Sequence, residues 1–453
     1  MNRSTVRKLA VLSAFGILAV AGMMTSAQTA RTKVTWFVGL GTGAQADQIP
    51  AEKLAVERFN KSQDKIELVA EFIENSVAKD QYATRLAAGN APDLVGPVGS
   101  DGANLFKGQW TDLDSLVTKY KPDLSNVDPA LVKFYKESQG GEGLPYAVYP
   151  SFLFINKDLF DEAKLPYPPT KFGEKYQGQD WNWTTLRTLA RKLTVDEAGK
   201  IPTQAGFNSK KVDQYGFVNQ WNTSLPAIGT TFGSGILIDS KGKVQIPASW
   251  LSAWRYYHSA IWKDFFMPNT ETAATALFGS GNNFNSGKFA IGYTHLWYTC
   301  CMDGGATSKV KNFAVAVIPS NNGKYTAKLH ADTFRIPKTA KDKDAAFQVM
   351  MWLMNQPDLL KTFGAFPADE RYQDAFITGI NAKYAPNKFN WQTVKDSLKY
   401  VDTPSHESWL PNTSKVKDIL NKLEVKIFTN PDLDLTKEVA ALRGELQRAY
   451  DEK

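Results

Sequence analysis

Residues 144–160 read LPYAVYPSFLFINKDLF. Leu144-Pro145 opens a bend. The apolar run from Phe152 to Ile155 is short enough for a buried strand and too short for a helix. Asn156 and Asp158 offer capping side chains, and a helix is predicted to start over Leu159 to Ala163. Pro145 and Pro150 bracket four residues, which suits a segment leaving one domain to begin another. The stretch therefore reads as a domain crossover feeding a new β-α unit.

Upstream, Lys33 to Val38 (KVTWFV) is predicted as a first strand, followed by a Gly-rich loop from Gly39 to Gln45. A helix is predicted from about Pro50 to Phe59, with Pro in its first turn. Ile66, Leu68, Ala70 and Phe72 alternate with polar positions, a second strand. Val77 to Ala88 is helical, with Tyr82 and Leu86 on one face. Gly89-Asn90 end that helix and Pro92 forbids its continuation. Leu94 to Val98 is a third strand. The β-α-β-α-β order predicts an α/β lobe with a mostly parallel sheet.

A chain of 453 residues holds two or three ordinary domains, and 43% hydrophobic with 22% charged content is that of a soluble globular protein. Residues 1–27 read as a cleaved signal peptide: Arg3, Arg7 and Lys8, an apolar run from Leu9 to Met24, then Thr25-Ser26-Ala27. No Cys follows the apolar run, so a lipid anchor is not expected. The leader carries three of the 53 basic side chains and none of the 46 acidic ones, so the net charge falls from +7 to about +4. The Lys residues are dispersed, which gives no support to nucleic-acid binding. The only two cysteines, Cys300 and Cys301, are adjacent. In an exported chain they form either a strained vicinal disulfide or two free thiols, and both readings stay open.

Gly39 to Ala44 formally fits a dinucleotide fingerprint, but the following helix starts several residues too late to meet a pyrophosphate. The loop reads instead as ligand-facing. His258, His295, His330 and His406 show no paired spacing, so no metal site is expected. Trp250, Trp254 and Trp262 fall at helical spacing, a packed helix face, and Trp352 and Trp110 read as packing. Trp36, Trp221, Trp297 and Trp409 sit at strand ends or in loops, and for each of them packing and ligand binding are both open.

The run Asn156-Lys157-Asp158-Leu159, after its Pro-led strand, resembles the first inter-lobe crossing of the bacterial solute-binding proteins of ABC importers, family 1, the sugar-binding group. Three further stretches resemble that family in order: AAGNAPDLV at Ala87 to Val95, FNSGKFAIGYTHLW at Phe284 to Trp297, and Arg335 to Met354. The last holds a predicted helix with Ala346, Met350 and Leu353 on one side. One departure is an insertion, Lys171 to Trp181, between Pro168-Pro169 and the helix predicted near Thr184.

The resemblance implies an α/β, two-lobe periplasmic binding protein fold of type II, with a hinge and an inter-lobe ligand cleft. Lobe one would be residues 31–147 plus 333–370, and lobe two 148–332 plus 371–453. It implies an extracytoplasmic monomer without cofactor that captures a sugar or oligosaccharide, breaks no bond in it, and hands it to a membrane permease. It places Trp297, Trp36, Trp221 and Trp409 on the binding side, with Tyr298 beside Trp297. Asp101 matches a family carboxylate that accepts from sugar hydroxyls, and Ser100 is its neighbour. Tyr149 stands where the family often has Glu at the hinge. Asp332 and Arg371 fall at the second and third crossings. Aromatic rings suit a pyranose because its C–H faces lie flat on an indole, while its hydroxyls need buried partners. The rivals are an exported carbohydrate-active lyase or hydrolase, and the same fold holding a peptide or polyol.

Overall fold

The computed structural model describes residues 30–139, 142–300, 302 and 309–452. The predicted leader lies outside the described residues, and so do Cys301 and the side chain of Cys300, on which the disulfide question rests.

Strand Thr32–Val38 pairs in parallel with Ile66–Phe72 on one side and Leu94–Gly99 on the other. Helices Ile49–Ser62 and Asn75–Ala87 connect them, the first with Pro in its opening turn. This is the β-α-β-α-β unit that the alternation predicts. The sheet then turns mixed, because strand Leu329–Arg335 returns antiparallel to Leu94–Gly99.

The crossover strand is longer than its apolar run suggests, spanning Ala147–Asn156, every residue buried. It changes partners at its middle. Residues Ala147 to Pro150 pair with Asp332 to Leu329, and Ala147 and Val148 also with Pro367 and Phe366. Residues Ser151 to Ile155 pair with His295 to Ile291, and Leu153 to Asn156 with Ala316 to Phe313. The exchange falls at Pro150, which has no N–H to give to either ladder. Strand Phe289–His295 continues in parallel to Val212–Asn219. One mixed sheet thus joins strands drawn from Thr32 to Pro367, and the largest apolar cluster joins Val34 and Leu94 to Phe289 and Phe313 through Phe152 and Phe154.

Local differences have plain causes. Asn156 occupies the N-cap of helix Lys157–Glu162 without capping it, because its amide turns to Gly287 O at 3.3 Å. Asp158 accepts from Asn312 rather than from the helix. The insertion folds as a small hairpin, Lys175–Tyr176 against Gln179–Asp180. Trp181 anchors it, buried and donating to Val317 O at 2.9 Å. Trp250 and Trp254 are core residues of helix Ala248–Trp262. Among the described residues no helix is long and apolar enough to cross a membrane.

Candidate functional site

Two adjoining cavities, of about 580 and 390 Å³, share Lys79, Asp101, Trp297, His330 and Glu407 and make one cleft. Its floor is the paired stretch where the crossover strand meets the returning strand. Tyr149 stands opposite His330 in that ladder, and Asp332 lies two residues on.

The first wall is built from backbone and small polar groups. The Gly-rich loop after the first strand lines the cleft with Gly39, Leu40, Gly41 and Thr42. Asn75 Nδ2 donates to Gly39 O and Gly41 O, both at 2.8 Å, and fixes the loop. A Cβ on Gly41 would press on Pro97 O and stand 2.9 Å from Asp332 Oδ2, so only glycine allows this approach. Asp332 Oδ2 accepts from Thr42 N and Thr42 Oγ1, both at 3.3 Å, and Thr42 Oγ1 shares a hydrogen bond of 3.2 Å with Tyr149 OH. Burial pushes the Asp332 carboxyl up to about 6, against the pull of the Thr42 N–H. Asp101, at the start of helix Ser100–Leu105, pairs with Lys79 at 3.3 Å and with Lys417.

The second wall is a row of flat rings. Trp297 stacks on His295 at 5.7 Å and 18°, and on Trp221 at 6.0 Å and 11°. Trp221 is 48% exposed and has φ of +57°. A bulky residue in the left-handed region costs on the order of 1–2 kcal/mol, and such strain concentrates at functional sites. Its Nε1 donates to Gly281 O at 2.8 Å, which sets the ring's direction. Tyr298 lies edge-on behind Trp221, buried, with its hydroxyl on Asn282 at 2.5 Å. It supports the row rather than facing the cavity.

The two walls touch at the mouth. Asn104 Nδ2 donates to Glu407 O at 2.6 Å, Lys417 meets Asp101, and Lys107 Nζ sits 3.9 Å over the Trp409 ring.

Of the expected binding residues, the structure brings Asp101, Tyr149, Trp221, Trp297 and Asp332 to the cleft. Five others do not line it: Tyr298, behind the row of rings, and Trp36, Ser100, Arg371 and Trp409. Trp36 points inward from the middle of its strand, is fully buried, donates to Gly96 O at 2.6 Å and packs on Phe72 and Phe334. Ser100 is buried beneath Asp101 at the helix start and does not line the cleft. Arg371 is held outside it by Asp369, with Nε to Oδ1 at 3.0 Å, and by Asp123 at 3.4 Å. Trp409 is 38% exposed and covered on one face by Lys107 instead of lining the cavity.

Sequence reasoning missed the polar cluster on the floor. His330, His406 and Glu407 offer ligand atoms within 4.8 Å of one another, against the expectation of no metal site. His330 Nδ1 and Glu407 Oε1 are 3.1 Å apart. Burial alone would raise Glu407, but the charge and hydrogen bond of His330 outweigh it and hold the carboxyl below the ordinary range, while Glu407 raises His330. Burial, and then the nearby His330, push the His295 imidazole well below its ordinary range. The only local signal was the polar run Asp402-Thr403-Pro404-Ser405-His406-Glu407, and nothing in the chain ties it to His330.

The arrangement offers flat apolar faces on one side and hydrogen-bonding groups on the other and below. No curated protein sequence matches the chain. The chain is similar in fold to an ABC substrate-binding protein from Listeria monocytogenes in complex with cycloalternan, with TM-score 0.71, 18% identity, and 93% of this chain and 100% of that one covered. It is similar to a maltose/maltodextrin-binding domain from Bdellovibrio bacteriovorus bound to maltotriose, with TM-score 0.64, 18% identity, and 93% and 99% covered. A third is an ABC transporter solute-binding protein from Agrobacterium radiobacter in complex with ribitol, with TM-score 0.66, 17% identity, and 92% and 98% covered. These likenesses give the architecture, the periplasmic binding protein fold. The bacterial extracellular solute-binding protein family matches residues 45–357, over half of the chain. With its crossover strand, its cleft and that match, the chain belongs to the bacterial extracellular solute-binding protein family.

Proposed function

We propose that the protein captures a sugar or oligosaccharide outside the cytoplasmic membrane and delivers it to the permease of an ABC importer. The observation that carries this reading is the parallel row His295–Trp297–Trp221, whose outer ring is open, set across a cleft from Asp101 and Thr42. A pyranose presents C–H faces to such rings and hydroxyls to such a polar wall. Two of the structural neighbours hold cycloalternan and maltotriose, which supports a sugar as the ligand class.

In this reading residues 31–147 with 333–370 form one lobe and residues 148–332 with 371–453 the other. Ligand draws them together about the crossover at Pro150, and the closed form docks as a monomer on the permease. The chain is exported, and its ligand leaves intact. A polyol is the second reading, favoured by the ribitol-bound neighbour.

The test is a thermal-shift screen with maltooligosaccharides, mannooligosaccharides and ribitol, followed by mass spectrometry of the recovered ligand. A cognate solute at a hundred times its dissociation constant stabilises by about 2.7 kcal/mol. Recovery of shortened sugars would sink the binder in favour of an enzyme. No shift with any sugar but a shift with ribitol would move the ligand to the polyols.

A further inference from the structure

His330 comes from the returning strand, and His406 and Glu407 from the loop after Val401, 76 residues later in the chain. His406 Nδ1 lies 2.7 Å from Asp402 Oδ2, a fully buried carboxylate that also takes the N–H of His406 at 2.7 Å and of Leu329 at 2.9 Å. A carboxylate so engaged makes Nδ1 the donor, which leaves the lone pair of neutral His406 on Nε2. That Nε2 is buried and has no hydrogen-bond partner. Glu407 Oε2 is likewise buried without a partner, although Oε1 meets His330. Two acceptors on neighbouring residues, both buried and both without a donor, are costly, and a cation held by both would satisfy them.

A His oriented by a carboxylate through one ring nitrogen, with the other nitrogen left without a partner, is the arrangement that supports metal ligation. We infer that His330, His406 and Glu407 form a site for a divalent transition-metal ion, Zn²⁺ by donor chemistry, with its remaining position open to the cleft. Two imidazoles and one carboxylate suit Zn²⁺, whereas Ca²⁺ and Mg²⁺ take oxygen ligands. Tetrahedral Zn²⁺ sets its ligand atoms about 3.4 Å apart. The three ligand atoms lie within 4.8 Å of one another, His330 and Glu407 are half-buried, and His406 is fixed on Asp402. The cation replaces the direct His330–Glu407 contact. The positive groups nearby are Lys417 and Lys328, the latter buried with its Nζ 4.5 Å over the Tyr293 ring. Asp402 and Asp332 supply negative charge on the same floor. All three ligands line the cleft, so an oxygen of a bound solute completes the coordination. The inference does not depend on what that solute is.

The probe is the metal alone. Zn²⁺ is titrated calorimetrically into the full chain after chelation and dialysis, and zinc-edge absorption spectroscopy reads the ligands. The expected result is one ion per chain with two imidazole nitrogens in its shell. His406→Ala and His330→Ala each weaken binding at least tenfold, and Asp402→Asn weakens it 10–100-fold as a supporting partner does. His258→Gln, at a histidine outside the cleft, changes nothing. If His406→Ala fails to fold, His330→Ala at the half-buried position decides. No saturable Zn²⁺ binding to the unaltered chain, or equal affinity in a folded His330→Ala chain, overturns the site.

Discussion

Two aromatic clusters are made from the same materials and do opposite things. In the sheet, Trp36 packs against Phe72 and Phe334 with ring planes inclined by 66° and 56°. At the cleft, His295, Trp297 and Trp221 lie parallel within 18° and 11°. In both clusters an indole N–H is satisfied by a glycine carbonyl, Gly96 O in one and Gly281 O in the other. Inclined rings use edges and faces together and close the cluster on all sides. A parallel row uses faces only and leaves the outermost face free. The backbone makes the difference: Trp36 sits inside a regular strand whose inward side is core, whereas Trp297 lies two residues past a strand end and Trp221 in a left-handed turn. A ring keeps an open face when the chain has left the sheet before presenting it.

The contrast is breakable at both ends. Trp36→Ala is expected to cost about 3–5 kcal/mol of stability, the cavity left by a buried indole, read from urea midpoints. A loss below about 1 kcal/mol would show that Trp36 is not core.

Glu52 tests the interior beside the cleft loop. Its carboxyl is buried, has no hydrogen-bond partner, and burial raises it to about 9. The unfolded chain ionises near 4.5, so the unfolded state binds fewer protons between those values and stability falls as pH rises from about 4.5 to 9. Glu52→Gln removes that dependence and is expected to gain on the order of 3 kcal/mol at pH 7. Urea midpoints at pH 5 and pH 8 that fall in parallel for both chains would reject the neutral carboxyl.

At the cleft the effects move from stability to affinity. Trp297→Ala is expected to weaken solute binding by about 1–3 kcal/mol in a chain that stays folded. Trp221→Gly loses a similar amount of affinity while its stability stays within about 1 kcal/mol, since relief of the left-handed strain offsets the lost stack. Calorimetry at unaltered affinity in either folded variant would return that ring to packing. The smallest effect belongs to the mouth. Lys107→Ala removes the contact over Trp409, about 0.5–1 kcal/mol at an exposed site, and shifts the unliganded protein towards an open form. Small-angle scattering should then show a larger radius without solute and the same radius at saturation, and an unchanged unliganded radius would argue against a contact across the mouth.

Residue order alone predicted the alternating units of the first part, a crossover in the stretch bracketed by Pro145 and Pro150, and the Gly-rich loop, whereas only the family resemblance put Trp297 on the binding side. The first three rest on short-range rules: the period of apolar residues, the punctuation of the chain by proline, and the freedom of glycine. The same rules predicted packing for Trp250 and Trp254, and the helix face formed. They gave no means to separate Trp36 from Trp221, because a strand's own alternation does not say which face the rest of the chain will cover. Only the tertiary structure decided that, by laying Phe72 and Phe334 over Trp36. It also decided the fate of Arg371, held by Asp123 from a distant loop, and of Trp409, covered by Lys107. Most of all it decided the histidines. His330 and His406 meet because the antiparallel return of Leu329–Arg335 beside Ala147–Asn156 carries His330 to the cleft floor, where Asp402 ties the later loop to Leu329 N. That register is the result of burying the crossover strand from both edges, a property of the packed sheet rather than of any spacing along the chain.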